Sequence, residues 1–154
     1  VVLIAASGDD TYALKSDGTV YAWGDDGQGQ IGNADAAHNQ RTPLKVNIGG
    51  VVSIDAGGTL AMAVKGDGAV WSWGDNVTGQ LGDGDGCGLH CSTPVPASGL
   101  TDGGWIAGGF LHGLAVTTDG SVYAWGNNLS AQLGNGTRRV AVSPVRVPGV
   151  TAVH

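Results

Sequence analysis

Cys87 and Cys91 stand four residues apart in the run Gly84-Asp85-Gly86-Cys87-Gly88-Leu89-His90-Cys91 and are the only thiols among the 154 residues. Two thiols at that spacing meet across a turn as a disulfide, and an even count in a glycine-rich chain suits an oxidising compartment. The same sulfurs with His90 would offer three soft ligands to a metal. A closed zinc site takes four, and no fourth donor is evident in the loop. Free thiols are the third state open to the pair.

Nearby, Asp83-Gly84-Asp85-Gly86 looks like the opening of a calcium loop. The twelfth position counted from Asp83 is Pro94, where an EF-hand places a bidentate Glu, so that motif is excluded. Asn76-Val77-Thr78, Asn128-Leu129-Ser130 and Asn135-Gly136-Thr137 satisfy the N-glycosylation sequon, which makes Asn76, Asn128 and Asn135 candidate acceptors. Asn is also an ordinary turn residue, and the first two lie at equivalent places just after a Trp-Gly pair. His112 lies beside the Gly108-Gly109 turn, without a serine or cysteine nucleophile and carboxylate in triad order or a pair of catalytic carboxylates. It reads as a structural histidine bonded to the backbone of a neighbouring unit. No catalytic residue, metal or cofactor is expected.

The elements carrying these residues recur. Asp17-Gly18-Thr19-Val20-Tyr21-Ala22-Trp23-Gly24 returns as Asp67-Gly68-Ala69-Val70-Trp71-Ser72-Trp73-Gly74 and as Asp119-Gly120-Ser121-Val122-Tyr123-Ala124-Trp125-Gly126, with the tryptophans 50 and 52 residues apart. A period near fifty marks one supersecondary unit copied and stacked. Each copy opens with a short apolar strand, at Val1–Ala6, Val51–Ala56 or Trp105–Ala107. A small-residue turn and a second strand follow, then an Asp-Gly hairpin turn, the strongest local signal for two paired strands. The third strand alternates large aromatics with small residues and ends in Trp-Gly. A polar loop carries Gln30-Ile31-Gly32, Gln80-Leu81-Gly82 or Gln132-Leu133-Gly134, in which the aliphatic residue plugs the loop from beneath. A fourth strand begins at Pro43, Pro94 or Pro144, and proline places it at a sheet edge. All five tryptophans read as core, with Trp105 in the place of Ile54.

Composition agrees with strands and turns. There are 29 glycines, and all 13 acidic residues are Asp, a balance that favours tight turns over helices. The net charge of −6 and scattered basic residues, with only Arg138-Arg139 adjacent, exclude a nucleic-acid backbone as partner. No apolar run reaches the ~18–20 residues that span a bilayer.

The pattern, best in Ala107-Gly108-Gly109, His112, Asp119-Gly120, Val122-Tyr123, Trp125-Gly126, Asn128, Gln132-Leu133-Gly134 and Gly136, resembles the repeat of the regulator of chromosome condensation family. The second copy has Ala61 and the first Thr11 where His112 stands. The resemblance implies an all-β fold of β-propeller blades, each of four antiparallel strands, with Trp23, Gly24, Trp73, Gly74, Trp125, Gly126 and His112 as structural repeat positions. It covers a single region, 1–154, divided into repeats 1–50, 51–101 and 102–149, with 150–154 opening a further one. Three blades are fewer than a closed ring needs. The chain enters and leaves at one phase of the repeat, so we expect either an excerpt of a longer propeller or copies joined head-to-tail.

The family's founding member is a nuclear exchange factor for a small GTPase that also binds chromatin. Its other members include enzyme inhibitors, receptor-associated modules and bacterial surface proteins. From the cysteine pair we expect a non-catalytic extracellular or cell-surface module that recognises a protein through its loops. Docking is expected at Asp35–Arg41, Asp85–Ser92 and Thr137–Ala141, where insertions and charges gather. A structural subunit assembling into a ring or filament is the second reading, and it would make the partner another copy of the chain. The exchange-factor role is set aside for lack of a basic patch, too few blades and the disulfide-like loop.

Overall fold

The computed structural model describes residues 1–34 and 39–151. Residues 35–38 of the expected docking loop, and residues 152–154 of the expected further repeat, lie outside it. Among the described residues, twelve strands form three antiparallel meanders of four. The first comprises β1 (Leu3–Ser7), β2 (Asp10–Leu14), β3 (Val20–Gly24) and β4 (Gln40–Lys45). The second comprises β5 (Val51–Gly57), β6 (Leu60–Lys65), β7 (Val70–Asp75) and β8 (His90–Pro96). The third comprises β9 (Gly103–Gly108), β10 (His112–Thr117), β11 (Val122–Gly126) and β12 (Ala141–Arg146). The first strands of successive sheets, β1, β5 and β9, lie side by side, so the sheets are arranged as propeller blades.

Alternation along β6 shows how the blades stack. Leu60, Met62 and Val64 face the third sheet, in a core with Val70, Leu81, Ala115 and Trp125. Ala61 and Ala63 face the first, in a core with Tyr12, Leu14, Val20, Ile31 and Trp73. Large side chains on one face of a blade therefore meet small ones plus a tryptophan on the next. The middle blade is buried on both faces, whereas β10 alternates buried and partly exposed positions. Ile31, Leu81 and Leu133 seal the loops from below, each essentially without exposure.

Glycine after each tryptophan has a specific cause. Gly24, Gly74 and Gly126 have φ of 116°, 108° and 97°, and each faces a carbonyl of the preceding hairpin, Asp9, Thr59 or Leu111, against which a Cβ would clash. The same carbonyls accept the N–H of Asp25, Asp75 and Asn127 at 3.1, 3.0 and 2.8 Å, tying the long loop to the hairpin.

Three expectations are corrected by the register. The fourth strands are edge strands, but they begin at Gln40, His90 and Ala141, ahead of their prolines. An edge position needs only one side of the strand to donate, so proline fits inside it. His112 pairs with Gly126, in the place of Leu60 opposite Gly74 and Asp10 opposite Gly24, not in that of Ala61 and Thr11. The constant offset of 52 residues that relates Trp73 to Trp125 puts Gly109 at Gly57, so the Gly108-Gly109 pair sits one position out of phase with Gly57-Gly58 although the hairpins are equal in length. By the same shift Ile106, opposite Ala115, takes the place of Ile54 opposite Ala63. Trp105 is left 59% exposed and is not core.

Candidate protein-docking rim

The hairpins joining first to second strands and the long loops after Trp-Gly lie together on one rim. Side chains hold these loops stiff. In each, a carboxylate or amide oxygen two residues back caps a backbone N–H: Asp25 to Gly27 at 3.3 Å, Asp75 to Val77 at 3.1 Å and Asn127 to Leu129 at 3.0 Å. The glutamine side-chain oxygen accepts the N–H two residues earlier, Gln28 to Gln30 at 2.7 Å, Thr78 to Gln80 at 2.8 Å and Ser130 to Gln132 at 2.9 Å. The N–H of each buried plug donates to the side chain five residues before it, Ile31 to Asp26, Leu81 to Asn76 and Leu133 to Asn128. The backbone carbonyls of Gln30 and Gln80 then accept the indole N–H of Trp73 at 2.8 Å and Trp125 at 2.9 Å from the next blade. Trp23 and Gln132 are the corresponding outer residues, and neither the Trp23 indole nor the Gln132 carbonyl has such a partner among the described residues.

This network gives Asn76 and Asn128 a structural role that argues against their use as glycan acceptors. Both are buried. The Asn76 amide donates to Asp83 at 3.1 Å and to the Gly88 carbonyl at 3.0 Å, and that of Asn128 to the carbonyls of Thr137 and Arg139 at 3.0 Å each. An amide nitrogen so engaged has no room for a sugar. Asn135 is half-buried, and its oxygen accepts from Asn128 and from Thr137. His112 packs its imidazole over Gly109, and burial lowers its pKa. The expected bond from His112 to a neighbouring blade is absent among the described residues.

Cys87 and Cys91 are disulfide-bonded across their turn. His90 is drawn away to Asp75, Nδ1 to carboxylate 3.5 Å, and does not join the sulfurs. Asp83 takes its place, and sequence reading missed it because it considered only the nitrogen and sulfur donors of the short Cys-to-Cys run.

The stiff rim presents apolar side chains to solvent. Phe110 is 73% exposed on its hairpin, and Val77, Leu89 and Leu129 are 59%, 64% and 69% exposed on the long loops. Asp9, Asp25, Asp75 and Asp85 lie among them, with Arg138 and Arg139 on the third loop. Apolar side chains ringed by charge, on loops that need no ordering, suit a protein partner.

Stacked four-stranded blades with a directed Trp-to-Gln seam define a β-propeller. The chain belongs to the regulator of chromosome condensation (RCC1) repeat family, whose repeat matches residues 17–64 and 67–115, and in a second form 1–30, 51–80 and 106–132. It is 35% identical over 97% of its length to the E3 ubiquitin-protein ligase HERC2 of Homo sapiens, and equally to that of Mus musculus. It spans 3% of each ligase. Among solved structures it resembles human WBSCR16 with a TM-score of 0.83 and 27% identity, over 95% of this chain and 39% of that one. It also resembles yeast RCC1 (Prp20) bound to Kap60, TM-score 0.86 and 22% identity, over 96% of this chain and 37% of that one. Prp20p from Saccharomyces cerevisiae, described with its binding properties to Gsp1p and histones, matches with a TM-score of 0.84 and 24% identity over 96% of this chain and 38% of that one.

These relatives correct the functional expectation. The expectation of a non-catalytic extracellular or cell-surface module is overturned, because the relatives that match along nearly the whole chain are E3 ubiquitin-protein ligases. Filament-forming and structural roles find no counterpart among them. The cysteine pair misled because thiols four apart on one turn meet by local geometry, whatever the compartment. The expectation of a protein partner agrees with them: yeast Prp20 is bound to Kap60 in one structure and is described with its binding to Gsp1p and histones in the other. No helix among the described residues is long and apolar enough to cross a membrane.

Proposed function

We propose that this chain supplies three blades of an RCC1-type regulatory propeller, with repeats at 1–50, 51–101 and 102–149, whose loop rim docks a small GTPase for nucleotide exchange. The observation that carries this reading is the set of outward apolar residues Val77, Leu89, Phe110 and Leu129, set among carboxylates on loops locked by buried side chains. Docking on such loops costs little ordering entropy. The family resemblance and the Gsp1p binding of Prp20p support the choice of a GTPase.

Calorimetry of nucleotide-free Gsp1p against the 154-residue chain tests it, with fluorescent-GDP release from Gsp1p as the catalytic readout. Saturable binding that weakens in the Phe110→Ala, Leu129→Ala double variant at unchanged stability is expected. Binding indifferent to both substitutions, or no binding, overturns it. A second reading draws on the 35% identity to HERC2: inside a ligase the same rim would hold a protein to be ubiquitinated.

A further inference from the structure

The loop between β7 and β8 brings three ligand-bearing side chains to one point. A carboxylate oxygen of Asp83 and the sulfurs of Cys87 and Cys91 all lie within 4.8 Å of one another. Cys91 is buried, and the other two are half-buried. Asp83 is held from two sides, accepting from the Asn76 amide at 3.1 Å and from the Cys87 backbone N–H at 2.8 Å. The Asn76 amide also reaches the Cys87 sulfur at 3.8 Å. A cleft of ≈ 460 Å³ opens beside Asp83 and Cys87, walled by Trp71, Val95 and Leu100.

The sulfurs are bonded to each other here, and a cytosolic or nuclear thiol pool would reverse that bond. A dithiol reductant, itself oxidised to a disulfide, delivers two electrons and two protons and leaves two thiols. A thiophilic divalent metal then displaces both thiol protons into solvent and binds the thiolates. Around tetrahedral zinc with Zn–S near 2.3 Å, two sulfurs sit about 3.8 Å apart. Cα atoms 5.9 Å apart allow that separation by side-chain rotation alone.

We propose that this loop is a redox-gated site for zinc or a like thiophilic divalent ion, held by Cys87, Cys91 and Asp83 when reduced and closed by the disulfide when oxidised. Three protein ligands leave the fourth position to water, admitted from the cleft that Asp83 and Cys87 line. His90, turned to Asp75, takes no part.

The test is anaerobic titration with Co²⁺ of dithiol-reduced, desalted protein, read by the sulfur-to-cobalt charge-transfer band and by displacement with Zn²⁺. Reduced protein is expected to take up one equivalent, and oxidised protein none. Asp83→Asn puts there the residue that stands at the same place in the third blade, where Asn135 accepts from Asn128 at 3.2 Å. That variant keeps the loop and should bind about tenfold more weakly or worse, since it loses an anionic ligand. It also keeps the test independent of whether a Cys87→Ser, Cys91→Ser chain folds. A reduced protein without the band, an oxidised protein that binds equally, or an Asp83→Asn variant of unchanged affinity would overturn the proposal.

Discussion

The Trp125 indole donates to the Gln80 backbone carbonyl across the seam between the second and third blades at 2.9 Å. At the preceding seam Trp73 donates to Gln30 at 2.8 Å, but there the carbonyl accepts a second bond, from the Tyr12 hydroxyl at 2.9 Å. Met62 stands where Tyr12 does and offers no hydroxyl, so Trp125 is the sole side-chain donor to its carbonyl among the described residues.

The two seams should therefore respond differently to Trp→Phe. Trp125→Phe strands a buried carbonyl and should cost about 1–3 kcal/mol, whereas Trp73→Phe leaves Tyr12 in place and should cost about 1 kcal/mol. Trp23→Phe should be the mildest of the three. Urea unfolding of the three variants measures the order, and equal costs would contradict the seam as described.

Asp10 should give the fold a pH dependence of unusual sign. Its carboxyl is pushed up to about 7 from 3.8, first by burial, then by the charges of Asp25, Asp26 and Asp9. The folded state then holds this proton more tightly than the unfolded chain. The contribution is full below the unfolded value of 3.8, declines as pH rises, and is gone above about 7. Asp10→Asn should flatten that decline, so its stability advantage over the parent grows from pH 4 to pH 8. Urea midpoints across that range decide it.

Asn128→Asp should open the third loop. Its amide donates to two backbone carbonyls, and an oxygen there would face both without a proton. The cost should be about 2–4 kcal/mol, seen as a lower Tm and faster exchange of the Leu133 amide. An unchanged Tm would contradict the buried network.

Gly126→Ala should be far worse than Gly88→Ala, although both positions have positive φ, 97° and 78°. At Gly126 the new Cβ lands 2.6 Å from the Leu111 carbonyl, while at Gly88 it meets nothing within 4 Å. We expect about 1 kcal/mol at Gly88 from backbone conformation alone and about 2–4 kcal/mol at Gly126.

Asp17-Gly18 and its two copies, with Trp-Gly closing each eight-residue phrase, made the strands and their repetition legible in the sequence, because turn chemistry and period two are local signals. The seam was not legible: its acceptors are backbone carbonyls, and a carbonyl carries no residue identity. Position 112 was misaligned because the Gly108-Gly109 pair looks like Gly57-Gly58, whereas the strand pairing puts Gly109 at Gly57 and His112 at Leu60. The burial of Asn76 and Asn128 was not legible either, since a sequon match says nothing of it. The first copy carried a hint: Asp26 holds the same place and accepts from Ile31 as the two asparagines accept from Leu81 and Leu133. A position shared by Asp and Asn needs an oxygen, not a sugar.

Every seam runs the same way, tryptophan reaching back to the glutamine of the blade before it. Such a one-way fastening tolerates duplication but not inversion. A gene that copies one unit in frame adds a blade whose two flanks already fit its neighbours, and this offers a route by which arrays of this kind gain or lose members without redesigning any contact.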